Sequence, residues 1–258
     1  MRAKQVERCL NFCCETGRQL IKNGAEIYRV EEAAKRMLSA FGYSDAEVFA
    51  IPSCIIINIH DGERNFTKNV RILRTGSNFD RLDSLNALSR KVAAKELSIE
   101  AAEAELHEIM GRKGYPAWIS YLGYGFAAFF FTLFWGGHAL DAAIAFFCGL
   151  LVKAAMGQMV RLKANVFFIH VCSSMLLVTV PVLLTALGVT IIHTDKIVIG
   201  AIMLLVPGIA ITNVMRDVII GDFITAVSKL AEVLIIALAI AIGIAIPFGI
   251  LRALTGVM

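Results

Sequence analysis

The chain is 258 residues long, with 57% apolar residues, 18% charged residues and 9% aromatics, and its mean hydropathy is +0.70. That balance lies outside the range of a soluble globular chain and points to a polytopic membrane protein. Of the 25 Lys and Arg, 18 precede residue 116, as do 16 of the 21 Asp and Glu. The net charge of +4 is shared evenly between the two parts, and the early charges alternate in sign as on a solvated surface. Nucleic acid is therefore excluded as a partner.

The charged first part reads as an α+β domain. Val6, Cys9, Leu10, Cys13, Leu20 and Ile21 follow helical spacing up to Gly24, a stop signal, and residues 1–20 lack the apolar core of a cleaved signal peptide, so the amino terminus is expected to stay inside. Ile27, Val30, Ala34, Met37, Leu38 and Phe41 mark a second helix ended by Gly42. The period then shortens. Val48 to Ile51 and Ile55 to His60 are β-branched runs separated by Pro52-Ser53, and the turn signal Asp61-Gly62 leads to a third strand near Phe66 to Leu73. Asn78 to Leu97 carries a stripe of Leu82, Leu85, Leu88 and Val92, and Ser98 opens a last helix to Met110. The order α-α-β-β-β-α-α gives one cytoplasmic domain over residues 1–114.

The second part, residues 115–258, reads as a transmembrane domain of about five helices. Gly114 to Leu140, Asn165 to Leu187, Ile197 to Met215 and Val233 to Leu251 hold no formal charge. Asp141 to Met159 holds only Lys153 beyond its opening aspartate. About 20 helical residues suffice to cross a hydrocarbon core of about 30 Å. Arg161 and Lys163 follow the second segment, whereas Trp135 to Leu140 and Gly188 to Asp195 contain no Lys or Arg. This bias orients a multi-pass protein in the cytoplasmic (inner) membrane, with the amino-terminal domain inside and the carboxyl terminus outside. Tyr115, Trp118, Tyr121 and Trp135 bracket the first span as interfacial anchors.

Polar residues concentrate between Pro207 and Glu232. Pro207-Gly208 is placed to break the fourth span and free backbone carbonyls at membrane depth. Asn213, Arg216 and Asp217 share one helical face, and Asp222, Thr225, Lys229 and Glu232 line another. Together they are a candidate substrate and ion path, since intramembrane charge is costly unless paired or hydrated. The alternative is a short cytoplasmic loop holding Arg216, Asp217 and Asp222. His170, inside the third span, is a lesser candidate for proton relay. The six cysteines form no CxxC pair and no zinc-type array with histidine, and no hydrolase motif surrounds Cys54, His60 or His107. No metal, cofactor or catalytic residue is expected.

Gly24-Ala-Glu-Ile-Tyr-Arg-Val-Glu31 resembles the signature of the threonine/serine exporter family. Ala50-Ile-Pro-Ser-Cys54, then Thr67 and Arg71, then Asn78, Leu82, Asn86, Ser89 and Arg90 are similar to its next motifs, in order. Pro207-Gly208, Asn213, Arg216-Asp217, Gly221-Asp222 and Glu232 resemble its membrane motif, with Lys229 where arginine is common and Ser53 where threonine is expected. The resemblance implies a secondary transporter exporting threonine or serine, driven by an ion or proton gradient. Because single-chain members continue into a second set of helices, it also implies the larger subunit of a split exporter with a smaller membrane partner. A split member that exports succinate makes a C4 dicarboxylate the alternative substrate. On this reading Arg216 and Lys229 hold a carboxylate, Asp217 or Glu232 holds an α-ammonium group, and Asp222 carries a coupling proton. A membrane-anchored enzyme or sensor is the remaining alternative of another class.

Overall fold

The computed structural model describes residues 2–60, 62, 64–73 and 75–255. Asp61 of the expected turn lies outside the described residues, while Gly62 is described with a φ of 66°. The chain divides into two compact units, one of residues 1–113 with 213–228, the other of residues 114–212 with 229–258. The segment 213–228, expected within the membrane domain, thus packs with the amino-terminal residues.

The first unit begins with α1 (Arg2–Lys22) and α2 (Ile27–Ala40), and the left-handed φ of 98° at Gly24 makes the turn between them. Three strands follow, β1 (Ala46–Ile51), β2 (Cys54–His60) and β3 (Asn65–Arg71), in an antiparallel meander with β2 at the centre. Val48 and Lys68 flank Ile57 in the register. Ile55, Ile57 and Ile59 are fully buried on one face of β2, so alternation alone fixes which side of the sheet meets the helices. A Cβ on Gly17 of α1 would stand 2.5 Å from Ile55 Cδ1, which shows how closely that helix approaches the sheet.

The unit continues with α3 (Phe79–Ala93) and α4 (Ile99–Gly111). Asn78 Oδ1 accepts from the Arg81 amide at 3.1 Å, and Ser98 Oγ accepts from the Ala101 amide at 3.3 Å, capping each helix start. Arg8 of α1 pairs with Glu103 at 2.6 Å and Glu100 at 2.5 Å on α4. The core joins Leu20, Ile27, Met37, Leu38, Leu85, Leu88 and Ile109 to the inner face of β2.

The second unit contains α5 (Ala117–Phe134), α6 (Ala139–Arg161), α7 (Val166–Ala186), α8 (Thr194–Ile202) and most of α10 (Phe223–Thr255). Among the described residues, four helices are long and apolar enough to cross a membrane, namely α5, α6, α7 and α10. The fourth span over 197–215 is broken, as Pro207-Gly208 led one to expect, and the break already begins after Ile202. After α8 the helix stops, and α9 (Gly208–Ile220) begins beyond Pro207. Pro207 has no amide hydrogen to continue the ladder. Nine residues of helix cover only about 14 Å, less than half a hydrocarbon core.

Small residues set the helix crossings of this unit. A Cβ on Gly149 of α6 would meet the Tyr124 carbonyl oxygen of α5 at 2.5 Å, and one on Gly200 of α8 would meet Thr132 Cα at 2.5 Å. On Gly243 of α10 it would meet the Val171 carbonyl oxygen of α7 at 2.4 Å. Where lipid is as apolar as leucine, such close backbone approach is what favours association. Ala128, Ala145, Cys148, Leu177, Ile197 and Ile240 form the interior. Phe126, Phe130, Phe147, Phe168, Leu234 and Leu238 point outward and are exposed, as lipid-facing side chains are.

Candidate substrate path

The helix break lies over residues 203–207, and the Gly208 amide donates to the Val206 carbonyl at 2.9 Å instead of to a carbonyl a full turn earlier. α9 then presents Asn213, Arg216 and Asp217 at spacings of three and four. The Arg216 guanidinium reaches Asn213 Oδ1 at 3.5 Å, and Asp217 is buried. Gly221 turns the chain with a φ of 89°, and the Asp222 amide donates to the Asp217 carbonyl at 2.9 Å. Asp222 Oδ1 accepts from the Thr225 amide at 3.1 Å and so caps α10, satisfying one of the amides that a helix start leaves open.

The other half of this cluster comes from α2 and from Glu26, the residue that precedes it. Glu26 forms an ion pair with Arg216 across 190 residues of sequence, and Arg29 Nε lies 2.8 Å from the same carboxylate. One turn and a half further along, Glu31 Oε1 accepts from the Ala50 amide of β1 at 2.7 Å. Burial raises the Glu31 carboxyl above its ordinary value, the Ala50 bond opposes that rise, and the negative charge of Asp222 adds to it. Within the first unit, then, Arg216 meets Glu26, and Asp222 lies within electrostatic reach of Glu31 beside the end of β1.

The sequence-predicted residues divide accordingly. Asn213, Arg216, Asp217 and Asp222 are brought together, while Pro207 and Gly208 form the break that precedes them. Lys229 is half-buried and Glu232 exposed on α10, one turn apart in the second unit. Thr225 is fully buried and its hydroxyl has no hydrogen-bond partner among the described residues. Inside α7 the Nδ1 of His170 and the hydroxyl of Ser173 are buried without hydrogen-bond partners among the described residues. Glu26 was missed as a site residue. Its only signal was membership of the Gly24-to-Glu31 motif, and nothing local assigns a lone glutamate to an arginine 190 positions away.

A chain with four membrane-length helices, an exposed apolar surface around them and a broken helix leading into a charged cluster is a multi-pass membrane protein. The family model described as "Putative threonine/serine exporter" matches residues 11–251, and the chain belongs to that family, which is one of transporters rather than enzymes. A "Probable threonine/serine exporter" from Mycobacterium tuberculosis is 21% identical over 244 residues, covering 93% of this chain and 46% of that protein. "Pheromone-regulated membrane protein 10" from Kluyveromyces lactis is 31% identical over 163 residues, 60% of this chain and 17% of that protein. Its namesake from Eremothecium gossypii is 29% identical over 151 residues, 56% of this chain and 20% of that protein. The chain thus spans less than half the length of these curated relatives. No solved structure matches it.

Proposed function

We propose that this protein exports small zwitterionic amino acids, threonine or serine, across the cytoplasmic membrane, coupled to a proton or ion gradient. The observation that carries the reading is the Arg216–Glu26 ion pair, which joins the membrane motif to the amino-terminal motif. An amino acid offers one carboxylate and one ammonium group. The carboxylate replaces Glu26 on the Arg216 guanidinium, and the ammonium group takes a place among Glu26, Asp217 and Asp222. Substrate thereby trades one internal ion pair for two, and the cluster opens only when both charges are supplied. A C4 dicarboxylate such as succinate brings two negative charges to a cluster of four carboxylates, so the amino acid fits better.

Asp222 carries the coupling proton in this scheme, and Glu31, already biased toward its neutral form, shares it. With five crossings, the broken α8–α9 pair counting as the fourth, the two ends of the chain face opposite sides of the membrane. A second helical half of inverted topology, supplied by a smaller membrane subunit, completes the alternating-access unit. The deciding experiment is counterflow in liposomes with that subunit present. Labelled threonine exchange, abolished by Arg216→Lys and unaffected by excess succinate, supports the reading. Succinate exchange without threonine exchange overturns it.

A further inference from the structure

A second cluster of charged side chains lies in the second unit, unconnected to the residues above. Asp141, in the first turn of α6, is fully buried. Its Oδ2 accepts from the His138 amide at 2.9 Å, and its Oδ1 accepts from the His193 amide at 2.8 Å. His193, which precedes α8, also places its ring Nδ1 2.9 Å from Oδ2, and His138 Nδ1 lies 3.7 Å from the same oxygen. The two imidazoles stack at 4.8 Å between ring centres, 14° from parallel, and both are open to solvent on one side. The three donor atoms all lie within 4.8 Å of one another.

The geometry points to a divalent transition-metal site, for an ion of the zinc class, held by His138, Asp141 and His193. Two imidazoles and one carboxylate are a donor set that suits zinc and nickel and is too soft for magnesium or calcium. Around a tetrahedral zinc, donor atoms stand about 3.4 Å apart, from bond lengths of about 2.0–2.1 Å. The two His-to-Asp separations bracket that value, so small rotations of the exposed rings complete the set. The carboxylate is already aimed by two backbone amides, which is the outer-shell support that metal ligands require. Solvent exposure of the rings leaves the fourth position to water and gives the ion its way in. The bound ion ties the α5–α6 turn to the loop before α8, the short helix that leads into the break at Pro207. On the proposed transport function, the ion acts as a clamp on that short helix.

Simple packing explains the buried aspartate as a cap, but it predicts no metal dependence. The test uses the purified full-length chain in detergent, stripped with chelator and titrated with Zn²⁺, with Mg²⁺ as control. One saturable zinc site is expected by calorimetry, with a rise in Tm of at least about 3 °C at saturation and none with magnesium. His193→Ala and His138→Ala each abolish both effects, while His60→Ala and His107→Ala leave them intact. Co²⁺ in place of zinc gives a visible spectrum of nitrogen and oxygen ligation. Binding that survives in the His138→Ala/His193→Ala double variant, a thiolate charge-transfer band, or no saturable binding at all overturns the assignment. Asp141 is left unaltered because its loss uncaps α6. Amino-acid exchange by the zinc-free protein is unaffected by either histidine change, which separates this site from the proposed substrate path.

Discussion

The close crossing of α5 and α6 offers a sharp test of how the second unit is packed. Gly149→Ala adds one methyl group whose carbon would stand 2.5 Å from the Tyr124 carbonyl oxygen, 2.9 Å from its carbonyl carbon and 3.1 Å from Gly125 Cα. All three neighbours are backbone, so no side-chain rotation relieves the contact and the helices must move apart. Overpacking of this kind costs about 1–3 kcal/mol, partly offset by up to about 1 kcal/mol of helix propensity gained over glycine. The control is on the same helix. Gly157→Ala meets nothing within 4 Å and keeps only the propensity gain. At about 2–4 °C per kcal/mol for a chain of this size, Gly157→Ala raises the apparent Tm by up to about 4 °C, and Gly149→Ala, which shares the propensity gain, falls about 2–12 °C below that control. Fluorescence-detected size exclusion after heating steps reads both. A Gly149→Ala protein as stable as the Gly157→Ala control would refute the crossing.

Reversing one charge of the Arg216–Glu26 pair, as Arg216→Glu, sets two carboxylates face to face. The double variant Glu26→Arg/Arg216→Glu recovers about 1 kcal/mol of the loss, a modest value because the arginine is 37% exposed, and additive losses in a double-mutant cycle would deny the pairing. Cys9, Cys13, Cys14 and Cys148 are buried, so alkylation of the native protein reaches at most Cys54 and Cys172 by intact-mass measurement, and a third adduct contradicts the packing of α1 or α6. Burial pushes the Cys14 thiol up to about 12 from an ordinary 9.0, against the pull of Lys68. The unfolded chain ionises first as pH rises, so stability is lost between about pH 9 and pH 12, and Cys14→Ala flattens that slope in alkaline unfolding monitored by circular dichroism. For topology, a cysteine at Thr190 reacts with an impermeant thiol reagent added outside cells and one at Gln158 does not; the reverse pattern rejects the orientation.

Much of the fold was legible because local rules suffice for it. Gly24 and Gly42 end their helices with φ of 98° and 97°, the alternation in Ile55 to Ile59 defines the buried face of β2, and the uncharged stretches mark α5, α7 and α10. The break at Pro207 was legible too, from the missing amide of proline. Its extent was not, since the helix already stops at Ile202 and apolar composition alone cannot distinguish one span from two shorter helices. Long-range pairing was the larger blind spot. Asp141 and His193 are 52 residues apart and read separately as a helix start and a loop residue, yet two of the four contacts of that carboxylate come from His193 and the other two from His138.

The placement of residues 213–228 with the amino-terminal residues bears on why this family signature is spread over both ends of the chain. Arg216 and Asp217 on a 13-residue helix are too polar for the hydrocarbon core unless each charge is met. Glu26 meets the first, and Asp222 caps the start of the next helix. Glu26 in turn is fixed by the turn at Gly24, and Glu31 by the edge of β1 through Ala50. Each motif therefore solves a problem created by another. Gly24 positions α2, α2 supplies the carboxylates, the Ala50-to-Cys54 strand motif anchors Glu31, and the Pro207-Gly208 break delivers Arg216. A change in any one is expected to register at the others, which is why single motifs carry little meaning in isolation and the ordered set carries a great deal.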